Sequence, residues 1–128
     1  MTSQRDTLKS LAFTVKEMIC DIRDNIANDE KEKDDLLLVE FWFTKLPHLK
    51  LINHIIKKVL PFKKQIADSD IHFFYEQRNS IFMGLPQDSV DHLANKFVNG
   101  QIDQDHINVI FQYFQLFVQL TEQYQQQK

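Results

Sequence analysis

Apolar residues return every three or four positions over most of this chain, which is the period of an amphipathic helix. Leu8, Leu11, Val15, Met18, Ile19, Ile22 and Ile26 make the first stripe and predict a helix over about 6–28. Thr2, Ser3 or Asp6 stands ready to cap its start. The charged run from Asn28 to Asp35 interrupts the pattern and reads as a loop or frayed connection. Residues 34–46 then predict a second helix that is apolar nearly all round, with Leu36, Leu37, Leu38, Val39, Phe41, Trp42, Phe43 and Leu46. A helix of that kind is expected at the centre of a fold. The same run could be a buried strand, but no partner strand is evident.

Pro47 breaks the pattern and opens a third helix as its first residue, with Leu49, Ile52, Ile55, Ile56 and Val59 on one face up to Pro61. A short turn over 62–66 follows. Ser69 or Asp70 then caps a fourth helix to about Phe82, carrying Ile71, Phe74, Arg78 and Ile81, and Gly84 stands where a closing glycine belongs. Pro86 and Asp88 begin a fifth helix with Val90, Leu93, Ala94 and Phe97 inward and Gly100 as its stop. Asp103 caps a last helix over about 104–126. The expected fold is all-α, a single domain over 1–128 forming a compact bundle of five or six helices, frayed at 1–5 and 125–128.

Composition supports that reading. Two glycines and three prolines are too little turn chemistry for a sandwich or barrel. With both glycines used as helix stops, none is left for a dinucleotide or phosphate loop. The net charge of −3 hides a split, since residues 1–64 carry 12 basic and 10 acidic groups and residues 65–128 carry 3 and 8. Cys20 is the one cysteine, so no internal disulfide and no cysteine-rich zinc site can form. MTSQRDTLKS is no secretory signal, and no apolar run approaches the 20 or so residues of a membrane span. These features predict a soluble, non-secreted protein in a reducing compartment.

The last helix has no charged residue between His106 and Glu122. Ile107, Ile110, Phe111, Phe114, Phe117 and Val118 share one face, and Val109, Tyr113, Leu116 and Leu120 share another. The remaining strip is Gln112, Gln115, Gln119 and Gln123. Solvated helix faces are normally rich in Lys and Glu, so a neutral strip marks either a core helix with one polar edge or a covered helix. Gln112, Tyr113, Gln115, Phe117 and Gln119 are therefore candidates for contact with a protein partner or a second copy. Lys50, Lys57, Lys58, Lys63 and Lys64 form a basic patch with no acid between Glu40 and Asp68. That patch could hold phosphates of a nucleic acid, or it could simply be solvated.

No set of residues carries catalysis or a metal. His48 and His54 are six apart and fall on different helix faces, and His72 with Glu76 offers two ligands at most. Asp88, Asp91 and His92, like Asp103, Asp105 and His106, sit at helix starts, where acids are explained by the helix dipole. Cys20 lies beside the apolar stripe, where a buried thiol is inert. The expectation is a non-enzyme with no cofactor and no metal.

The block from Val59 onward, with Val59-Leu-Pro-Phe62, Phe73-Phe-Tyr-Glu76, Phe82-Met-Gly-Leu-Pro86 and Ile110-Phe-Gln-Tyr-Phe114, resembles small helical proteins of nucleocytoplasmic large DNA viruses, of the iridovirus, marseillevirus and algal-virus kind. In those proteins an F-x-G-L-P turn precedes an acid-capped helix, and a long aromatic-rich helix closes the chain. The resemblance covers the C-terminal half and transfers no catalytic residue. It implies a virion or assembly component, or an accessory factor, in the host cytoplasm or the virion. The leading expectation is a helical protein–protein interaction module. The alternatives are a nucleic-acid-associated factor using the basic patch and a Bcl-2-like modulator of host defence.

Overall fold

The first apolar stripe folds as α1 (Gln4–Asn25), which buries Leu11, Val15, Met18, Ile19 and Ile22. The computed structural model describes residues 3–25, 30–81 and 87–127, and within these all side chains but those of Trp42, Phe74, Ser80, Ile81, Ser89 and Leu93. Ile26, Gly84 and Pro86, with all of 82–86, lie outside the described residues. Further elements are α2 (Glu30–Lys45), α3 (His48–Lys58), a 3-10 turn (Leu60–Phe62), α4 (Lys63–Ala67), α5 (His72–Glu76), α6 (Arg78–Ile81), α7 (Gln87–Val98) and α8 (Gln104–Gln126). The fold is all-α, with five long helices joined by short helical turns. No strand occurs among the described residues.

α8 supplies the largest share of the core: Ile107, Ile110, Phe111, Phe114, Phe117 and Tyr124 are all buried. It packs against α1, α3 and α4. Aromatic rings continue the contact across elements. Phe62 meets Phe73 at 5.5 Å, Phe73 meets Phe114 edge-on at 6.1 Å, and Phe114 meets Phe117 at 5.3 Å between ring centres. Those separations suit the edge-to-face geometry that aromatic quadrupoles favour. Asp103 caps α8 as the sequence predicts, its carboxylate accepting from the His106 backbone N–H at 2.9 Å. That bond, with the His106 ring beside it, holds the Asp103 carboxyl below its usual range. The cap therefore stabilises at neutral pH and is lost as acid protonates Asp103. Gly100 has φ +84°, the left-handed conformation a helix stop requires, and it closes α7.

Two hydrogen bonds join the start of α1 to the end of α8, and each involves a residue of the stretches expected to fray. Gln4 Nε2 donates to the Tyr124 carbonyl at 3.0 Å, and Thr7 Oγ1 donates to Gln127 Oε1 at 2.9 Å. α1 and α8 run antiparallel, so these bonds join the first turn of one to the last turn of the other.

Three other expectations change. Pro47 is the N-cap of α3, not its first helical residue, and its carbonyl accepts from Lys50 and Leu51. The turn expected over 62–66 is itself helical, since Pro61 suits the first turn of a 3-10 helix that runs on into α4. The single fourth helix is broken at Gln77, which has φ −105° and ψ 22°. Arg78 explains the break: its guanidinium donates to the Tyr75 carbonyl at 2.8 Å, lies 4.4 Å from the Tyr75 ring centre, and pairs with Asp91 at 2.8 Å. The carbonyl left free by the break is thereby satisfied, and α6 is turned onto α7.

The largest correction concerns α2. Its charged start is helical from Glu30, because Glu30 and Glu32 suit the positive end of the helix dipole and Lys31 pairs with Asp35 one turn on, at 3.4 Å. Glu32 is buried with Lys96 of α7 at 2.8 Å, each side chain only 3% exposed. Glu32, Leu36, Val39 and Phe43 thus form the inward stripe of α2. Leu38 and Phe41, on the other side, are 68% and 60% exposed, and Leu37 is 48% exposed. The helix expected at the centre lies at the periphery, with an apolar face turned out.

Removing one member of a buried ion pair leaves an uncompensated charge, so Lys96→Met is expected to destabilise the fold by about 3–5 kcal/mol. Urea unfolding followed by circular dichroism measures this, and a loss below about 1 kcal/mol, the usual value of an exposed pair, would show that the pair is solvated in solution.

Candidate docking face

The outward face of α2 is built by one register. At about 100° per residue, Asp34, Leu37, Leu38, Phe41 and Lys45 fall within an arc of about 100° opposite the Glu32 stripe. All five are exposed. Lys45 Nζ lies 4.3 Å from the centre of the Phe41 ring, so the ammonium rests against the apolar strip. Leu49, at the start of α3, is 57% exposed. Isolated exposed leucines are ordinary, but three large apolar side chains grouped on one helix face are the mark of a contact surface.

The α1–α2 seam borders this face. Arg23 pairs with Glu40 at 2.7 Å, and Cys20 Sγ donates to the other Glu40 oxygen at 3.4 Å. An open groove of about 470 Å³ lies along α1, lined by Phe13, Lys16, Glu17, Cys20, Asp21 and Tyr113. Burial pushes the Cys20 thiol above its ordinary pKa, and the bond to Glu40 and that carboxylate's charge push the same way, against Arg23. Tyr113 moves up as well, through burial and then the nearby Asp21 and Glu17. Both shifts favour the protonated form. Cys20 is half-buried and not enclosed in the apolar stripe, and desolvation and Glu40 together disfavour its thiolate.

The residues expected to form an α8 surface separate. Phe117 is a core residue, 3% exposed, and offers nothing to a partner. Tyr113 is half-buried in the α1 groove. Gln112, Gln115 and Gln119 are all exposed, and Gln115 Nε2 also donates to the Ile66 carbonyl at 3.2 Å near the end of α4. In the basic patch Lys50, Lys57, Lys58, Lys63 and Lys64 are all exposed, and Lys63 is paired with Glu122 at 3.1 Å.

No group of three or more potential metal ligands occurs among the described residues, and no described helix is long and apolar enough to cross a membrane. Leu37, Leu38 and Phe41 were not singled out by the sequence because the whole of 36–43 reads as core. The signal that finds them is the flanking pair Asp34 and Lys45, which share their face and must reach water.

At mildly alkaline pH, Cys20 is expected to alkylate with iodoacetamide several-fold more slowly than free cysteine. Glu40→Gln is expected to speed the reaction. A wild-type rate equal to that of the free thiol would contradict the Cys20–Glu40 contact.

The F-x-G-L-P turn that anchors the viral resemblance lies outside the described residues. No protein-family model, no curated protein and no solved structure matches the chain.

Proposed function

We propose that this chain is a helical protein–protein interaction module that docks through the outward face of α2. The observation that carries the reading is the exposure of Leu37, Leu38 and Phe41 on one side of a helix otherwise fixed in the bundle. Exposed apolar area of this kind costs solubility and is retained where another surface covers it. The charged residues at its two ends make the polar rim that such patches have. Rigid support favours the reading, because Leu36 and Val39 bind the back of the helix to the core. A docking face held on a preformed helix loses little entropy on association. Among the described residues of α8 itself, the large apolar side chain that is exposed is Leu116, at 37%. The resemblance to helical proteins of large DNA viruses gives such a module a setting, contacts made during assembly or in the virion.

A photo-cross-linking amino acid placed at position 38 or 41, with controls at 57 and 112, tests the reading in cells that make the protein. Protein adducts are expected from 38 and 41 and not from 57 or 112. Adducts from 112 alone, or none from 38 and 41, would overturn it.

A further inference from the structure

Resting on that docking reading, we infer that the partner of the α2 face is a second copy of this chain, paired antiparallel through the same face. A two-fold interface brings a patch against itself, so the patch must be self-complementary. This one is. Leu38 and Phe41 are placed symmetrically about the midpoint between them, and Asp34 and Lys45 flank the same midpoint four residues further out on each side. An axis through that point sets Leu38 against the partner's Phe41 and Asp34 against the partner's Lys45, and each pairing occurs twice. A parallel arrangement would set acid against acid and base against base, which the charges disfavour.

The geometry is that of two helices crossing along a short seam. Asp34 and Lys45 are about 16 Å apart along the axis, three helical turns, which is the span over which two straight helices stay in contact. Lys45 lies back along the strip with its ammonium over the Phe41 ring, and its flexible stem can swing that charge out to the partner's Asp34. The contact is small, so the dimer belongs to the transient class and its population rises with protein concentration.

Sedimentation of the full chain from micromolar to millimolar concentration tests the pairing. The wild type is expected to rise from the 15.3 kDa monomer towards twice that mass. Asp34→Lys alone and Lys45→Asp alone each turn two attractions into repulsions and are expected to weaken association about tenfold or more. An equimolar mixture of the two variants restores both ion pairs and is expected to associate as the wild type does. Because mixing cannot repair a misfolded chain, that recovery separates the interface from folding.

A wild type that stays monomeric throughout overturns the self-pairing. So do single variants that associate normally, or a mixture no better than either variant alone. A monomeric chain that still cross-links from positions 38 and 41 to a different protein overturns self-pairing and leaves the docking face standing. Absence of both removes the two together.

Discussion

The rotation of α2 depends on one buried ion pair. A helix that is apolar on every side has no preferred face, and hydrophobic burial alone cannot choose among its orientations. The Glu32 carboxylate chooses. Once it is buried against Lys96 of α7, the residues one, two and three turns further on, Leu36, Val39 and Phe43, are carried inward with it. A buried pair is a weak source of net stability, because desolvation offsets most of the attraction. As a device that fixes register it is effective, since any other rotation strands a charge in the core.

The rest of the bundle makes that arrangement affordable. α8 fills the centre with phenylalanines whose rings meet from the 3-10 turn through α5 to the α8 axis, so α2 is not needed there. α1 is clasped to the end of α8 by Gln4 and Thr7 and presents its other edge to α2 through Arg23 and Glu40. With the core complete behind it, α2 can keep Leu37, Leu38 and Phe41 on the surface. The fold thereby carries an apolar strip between two opposite charges, which is what a reversible contact requires.

Elements with a single apolar face could be read directly from the sequence. The stripes of α1 and α8 agree with the structure, and so do Asp103 as a cap and Gly100 as a stop, because each depends on local spacing. In α3 Ile52, Ile55 and Val59 are buried as expected, but Leu49 is exposed and Leu51 takes its place in the core. Three features depended on partners far away in sequence. The inward side of α2 is set by a residue 64 positions distant, and its own charged start reads locally as a loop. The break at Gln77 carries no glycine or proline and arises from Arg78 reaching Tyr75 and Asp91. Phe117 resembled a contact residue because α8 lacks charge, but it lies on the face that α8 buries, while Gln115 of the exposed strip is bonded across to α4.

The rotation of α2 can be measured directly by cysteine labelling in a Cys20→Ser background. Leu38→Cys is expected to react rapidly with a maleimide and Leu36→Cys slowly, and the contrast is expected to collapse when Glu32→Leu and Lys96→Met are added together. An undiminished contrast without the ion pair would contradict its role in setting the register.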